Sequence, residues 1–212
     1  TEVLIIAHVN SVTWCTFTGD AARALPHARR AVELAEAATG KTTGLVAAVG
    51  LGRALLLNEQ WSDAATTLEQ ALAEMRARQA ALNAEAFVLG DLAQAVAALG
   101  DCGRARVLAD EAVSVAQERH LMGAHSFLAR ARVLRASDGV RAAAAIETDL
   151  RQALAELERT EARAYAPLIH VERAELARLL GDETTWKREL REAHRLFIEM
   201  GATGHAERVG RQ

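Results

Sequence analysis

Five passages of this chain fall into register at a spacing of about forty residues, and a repeat of that length limits the possible folds more than any other feature. They are "FTGDAARALPHARRAVELA", "LNEQWSDAATTLEQALAEM", "ALGDCGRARVLADEAVSVA", "RASDGVRAAAAIETDLRQAL" and "LLGDETTWKRELREAHRLF". With Gly19, Glu59, Gly100, Ser137 and Gly181 as equivalent landmarks, the position five residues on holds Ala24, Ala64, Ala105, Ala142 and Trp186. Twelve residues on stand Ala31, Ala71, Ala112, Asp149 and Ala193. The fourth passage breaks register in its second half, where Ala153 needs an extra turn or a shift to take the place of Asp149. Units of this size cannot bury an apolar face alone and must stack on their neighbours, so residues 1–212 are expected to form one solenoid.

The periodicity inside each unit is helical. Ala105, Leu108, Ala112 and Val115 step by three or four residues, as do Trp186, Leu190, Ala193, Phe197 and Met200. Half of the residues are hydrophobic but only 4% are aromatic, so alanine and leucine carry the core, as suits closely packed helices. Seven residues before three of the landmarks stand Gly52, Ala93 and Ala174, small enough for paired helices to approach closely. "GD" supplies a left-handed stop followed by a side-chain N-cap. Each unit therefore reads as two antiparallel helices. A small residue in the first helix, a Gly-Asp turn and alanines in the second resemble the tetratricopeptide repeat (TPR), although the period exceeds that family's usual 34 residues by about six. The resemblance implies an all-α fold, an α-solenoid of about five TPR-like hairpins forming a right-handed superhelix.

Within this frame few residues offer chemistry. Gly40-Lys41-Thr42 matches the end of a phosphate-binding loop, but residue 35, where the first glycine belongs, is Ala35, and the preceding segment is helical rather than a buried strand. Gly40 is expected to close the second helix of the first repeat, with a threonine available to cap the next. Gly50-Leu51-Gly52 lies mid-helix, not after a strand. Cys15 and Cys102 have no metal-ligand or redox spacing, and Cys15 in "TWCTF" is expected to be an inert core thiol. His120 and His125, and His170 with Glu172 and Glu175, lack the spacing of a metal-binding helix, and His194 edges a buried stripe. Cys15 and Ser126 have no base at readable distance. The net charge of −3 excludes a basic nucleic-acid footprint, and "TEVLIIAHV" is too short for a membrane span. No catalytic residue, metal or cofactor is expected, and no nucleic acid or membrane. Reduced cysteines fit a cytoplasmic protein.

The expectation that remains is a binding surface. In the TPR family the first helices line a concave groove. The matching positions here are Ile6, Val9, Thr13 and Phe17, then Val46, Val49, Arg53 and Leu56, then Phe87, Gly90 and Gln94, and finally Leu168, Val171, Glu175 and Arg178. That row is mostly apolar, with Thr13, Arg53, Gln94 and Glu175 as polar points, and suits a protein or peptide helix, another domain of the same chain or a second protomer. Tight winding would instead bury it. A small ligand held by Phe87, Phe127, Arg53 and Gln94 is the alternative, and Arg130, Arg132 and Arg135 form a basic run read as a solvated face. The chain begins on Thr1 and on apolar residues without a polar capping helix, as expected of a fragment, whereas "GATGHAERVGRQ" looks like a polar cap. "RAYAPLIHVERAELARLLGDE" with "RELREAHRLFIEMGATGHAERV" resembles the end of a bacterial family that joins a class III adenylate/guanylate cyclase to a STAND-type AAA+ ATPase and a TPR array. That resemblance implies a sensor or scaffold role in a signalling protein. LuxR-type regulators end similarly.

Overall fold

In the computed structural model, which describes residues 1–38, 41–160 and 163–212, the described residues form helices and no strand. Among the described residues eleven α-helices follow one another: α1 (Glu2–Thr18), α2 (Ala21–Glu36), α3 (Lys41–Leu57), α4 (Trp61–Arg78), α5 (Glu85–Ala98), α6 (Cys102–Arg119), α7 (Gly123–Asp138), α8 (Ala143–Thr160), α9 (Ala166–Leu179), α10 (Glu183–Glu199) and α11 (Thr203–Gly210). The first ten pair as five antiparallel hairpins, and the first helices also pack on one another, α1 on α3 and α5 on α7. This is the expected α-solenoid.

The Gly-Asp turns work as their chemistry dictates. Gly19, Gly100 and Gly181 take left-handed φ values of 75°, 92° and 74°. The aspartate after each then accepts a hydrogen bond from a backbone N–H in the next helix: Asp20 from Arg23 (3.2 Å), Asp101 from Arg104 (3.0 Å) and Asp182 from Thr185 (2.9 Å). Glu59 makes the same left-handed turn without glycine, at φ 59°.

The fourth repeat corrects the alignment. Buried stripes run along the second helices: Ala64, Leu68, Ala71 and Met75 in α4, Ala105, Ala109, Ala112 and Ala116 in α6, Ile146, Leu150, Ala153 and Leu157 in α8. Successive sets lie 41 residues apart, so the landmark of this repeat is residue 141 and not Ser137. α7 runs through Ser137, and a 3-10 turn at Gly139–Ala142 absorbs the four extra residues, about one helical turn. Ala142 therefore lies in the turn, and Ala153 takes the alanine position. Asp149 is buried for a different reason: Arg130 grips it with Nε and Nη2 at 2.9 and 2.6 Å. A second such clamp joins three helices, with Glu85 of α5 accepting from Arg76 of α4 and Arg119 of α6, each at 2.7 Å.

Gly40 lies outside the described residues. α2 is helical up to Glu36 and α3 opens on Lys41, so the chain approaches Gly40-Lys41-Thr42 from a helix, which is not the frame of a phosphate loop. Cys15 is buried in the first hairpin, and that burial pushes its thiol pKa up.

The solenoid winds until its ends meet. The segment expected to be a polar cap is α11, which buries Ala206 and Val209 against Phe197 and Ala174 and lays its N-terminal turn on the end of α1. His205 Nε2 lies 2.9 Å from the Thr16 carbonyl oxygen, which makes Nε2–H the donor. A Cβ on Gly204 would stand 2.6 Å from the carbonyl oxygen of Gly19, so only glycine allows the two backbones this close. The accessible surface of 10398 Å² is close to the roughly 9,600 Å² expected of a compact 22.8 kDa monomer, so the closed array encloses little open space.

Candidate functional site

That enclosed space is a funnel of about 520 Å³ lined by α1, α3, α5, α7, α9 and α11. Its walls follow from the repeat. At spacings of 40 or 41 residues, Thr13, Arg53, Gln94, Arg135 and Glu175 occupy one row, and three residues earlier Asp91, Arg132 and Glu172 occupy the next. Helical neighbours three apart share a face, so the two rows form one polar band across the array.

The band is wired from hairpin to hairpin. Arg53 donates from Nη1 to Thr13 Oγ1 (2.9 Å) and from Nη2 to Thr16 Oγ1 (3.0 Å), both on α1. Its Nε lies 3.5 Å from Asp91 Oδ2 on α5, and its guanidinium sits 4.2 Å above the Phe87 ring. His125 of α7 packs on the same ring and places Nε2 3.2 Å from Asp91 Oδ1. Asp91 Oδ2 and His125 Nε2 are buried yet make no well-aligned hydrogen bond. Arg132 donates from Nη1 to Gln94 Oε1 (3.0 Å) and from Nε to Glu172 Oε1 (2.9 Å). Arg135 Nε takes the other oxygen, Glu172 Oε2, at 2.9 Å.

Closure completes the funnel. Tyr165, just ahead of α9, meets Phe17 of α1 edge-on with ring centres 5.0 Å apart. Burial pushes its phenol up to about 12, so the hydroxyl keeps its proton. Arg208 Nη2 donates to His205 Nδ1 at 2.7 Å while Nε2–H binds Thr16, which fixes a neutral imidazole. Burial pushes its pKa down to about 4.

The structure separates the residues singled out in the sequence. Arg53 and Gln94 line the funnel, as do Phe17, Leu56 and Leu168. Thr13 and Phe87 stand behind Arg53 and hold it. Phe127 is buried in the core around the fourth hairpin with Arg130 5.8 Å above its ring, away from the funnel wall. Glu175 pairs with exposed Arg178 at 2.7 Å, also off the wall. Ile6 is half exposed. The sequence singles out neither Asp91, Tyr165 nor His205, offers His125 and Glu172 only as rejected metal ligands, and presents Arg132 and Arg135 as a solvated face, whereas all seven line the funnel. Arg135 was hidden by the four-residue slip, because counting back from Ser137 lands on Ala131. The inner surface is consequently charged where the counted row is mostly apolar.

No protein-family model matches the chain, and no curated protein is similar to it in sequence. Solved structures similar in fold include a Podosopora anserina protein described as a kinesin light chain with nearly identical TPR-like repeats, and a point variant of the same protein. The first has a TM-score of 0.57 and 18% identity over 94% of this chain and 98% of its own. The variant has the same score and identity over 93% and 96%. At that identity the likeness concerns the fold alone, and the chain has the fold of a TPR-like α-solenoid, here wound until its two ends touch.

Proposed function

We propose that this chain is a non-catalytic regulatory module that takes an effector inside its funnel and passes the result to a protein partner or to another domain of the same polypeptide. The observation that carries this reading is the contact of α11 with α1, which narrows the concave face to a funnel open to solvent. The funnel's 520 Å³ falls in the range of pockets that hold small molecules. An effector with different affinity for the closed and open rings shifts the balance between them, and that shift is the signal. TPR-like folds commonly serve protein interaction, and the outward helices remain available for it.

In finer terms, the module belongs to a bacterial cytoplasmic signalling ATPase linked to a class III cyclase. The resemblance of the last fifty or so residues supports this assignment, and LuxR-type regulators are its alternative. The test has two parts. Thermal-shift screening of a metabolite panel should give a stabilising compound whose effect is lost in Ala97→Trp, which fills the funnel, and kept in Arg178→Gln. Equal binding by Ala97→Trp would place recognition elsewhere. An immunoblot of source-cell lysate should show a band several times 22.8 kDa, whose cyclase activity is then assayed with and without the compound.

A further inference from the structure

We propose that the ligand of the funnel is an oxyanion, a carboxylate or phosphate, carried on a compact apolar body; this rests on the funnel being the binding site. Cationic donors on the wall outnumber the acceptors that face them. Arg132 and Arg135 share the single carboxylate of Glu172, so this cluster holds two positive charges against one negative. Both bind Glu172 through Nε, and Arg132 Nη1 serves Gln94, which leaves Arg132 Nη2 and both terminal nitrogens of Arg135 with no acceptor among the described residues. Arg208 at the rim has, among the described residues, only the neutral His205 as a partner. Arg53 and Asp91 balance each other, and Glu59 stands at the exposed edge. Among the described residues, four guanidiniums on the wall and rim thus face three carboxylates, Glu59, Asp91 and Glu172, and the surplus of donors lies in the Arg132–Arg135 cluster.

Planar guanidinium forks match the two oxygens of a carboxylate or phosphate, a match that Arg130 realises on Asp149 elsewhere in this fold. The same wall carries apolar side chains: Phe17, Leu56, Leu57, Leu128, Val133 and Leu168. A ligand that satisfies both kinds of side chain is an anion at one end and a hydrocarbon or aromatic group at the other. A free small acid and the C-terminal carboxylate of a peptide share that chemistry.

The test is methyl NMR of the full chain, following Leu56, Leu128, Val133 and Leu168 during titration. The probes are 3-phenylpropionate, phenyl phosphate, 3-phenylpropionamide and 3-phenylpropylamine. The anions should move these methyls and bind about tenfold or more tighter than the amide, since two or three charged hydrogen bonds are at stake. Arg135→Gln should erase that preference. Should it unfold, Arg135→Lys, which keeps charge but loses the fork, should reduce it. Arg178→Gln should preserve it. N-acetylphenylalanine against a hexapeptide ending in phenylalanine then separates a free acid from a chain end. If the amide or the amine moves the methyls as strongly as the anions, the oxyanion proposal is wrong while the funnel remains the site. If no probe moves them, both fall.

Discussion

Gly204→Ala addresses the closure on which the functional reading depends. The added Cβ would lie 2.6 Å from the Gly19 carbonyl oxygen, 2.9 Å from its carbon and 3.0 Å from the Thr18 carbonyl oxygen. All three are backbone atoms, so no side chain can swing away. Ordinary contact begins near 3.4 Å, and α11 must retreat by about 0.8 Å. Overpacking of this kind costs about 1–3 kcal/mol, and the His205 to Thr16 hydrogen bond adds about 1 kcal/mol if it breaks. Replacing glycine within a helix returns about 0.5–1 kcal/mol. The net loss is about 1–3.5 kcal/mol, equivalent to a Tm lower by roughly 2–14 °C in a domain of this size. Calorimetry should show that decrease, and hydrogen exchange should show faster exchange in α11 with α4 to α8 unchanged. Gly44→Ala in α3 is the matched control, because its Cβ would meet nothing within 4 Å. It should gain about 0.5–1 kcal/mol from helix propensity. A Gly204→Ala protein as stable as Gly44→Ala, with α11 exchange unaltered, would refute the claim that these backbones touch.

Three further outcomes follow from the same contacts. His205 has a folded pKa of about 4 against 6.5 when unfolded, so its contribution is complete above pH 6.5 and is lost as pH falls towards 4; urea midpoints of His205→Gln should decline less than wild type over that window, by about 2 kcal/mol. Arg53→Met leaves Asp91 buried without its cation and should cost about 3–5 kcal/mol in chemical denaturation, far more than Arg178→Met, whose side chain is mostly exposed. Phe127→Ala should cost about 3–5 kcal/mol of stability, yet folded protein at low temperature should bind the anionic probes as wild type does, because the ring packs in the core and not on the funnel wall.

The hairpins were legible in the sequence because local rules decide them. Alanine at Ala64, Ala105 and Ala193 and aspartate after glycine at Asp20, Asp101 and Asp182 state helix contact and helix start without help from distant residues. Counting from the landmarks also strings Thr13, Arg53, Gln94 and Glu175 along one row, of which Arg53 and Gln94 reach the funnel wall. The funnel itself was not legible, for three physical reasons. The turn at Gly139–Ala142 displaced the fourth hairpin by one helical turn and concealed Arg135. Asp91, Arg132 and Glu172 lie on the adjacent row, and only the degree of winding decides whether one row or two face the axis. Closure sums small rotations over five hairpins and ends in a contact between Gly204 and Gly19, 185 residues apart, which no periodicity announces. His205 enters the site only through that contact.

The most direct test of the closed ring is small-angle X-ray scattering on a monomeric fraction. A chain of 212 residues wound shut should have a radius of gyration near roughly 17 Å, the value for a compact domain of its length. An array of the same hairpins that stays open would exceed about 20 Å on that scale and dissolve the funnel into a groove. The first result supports a funnel that senses a small ligand; the second would return the concave face to the recognition of peptides.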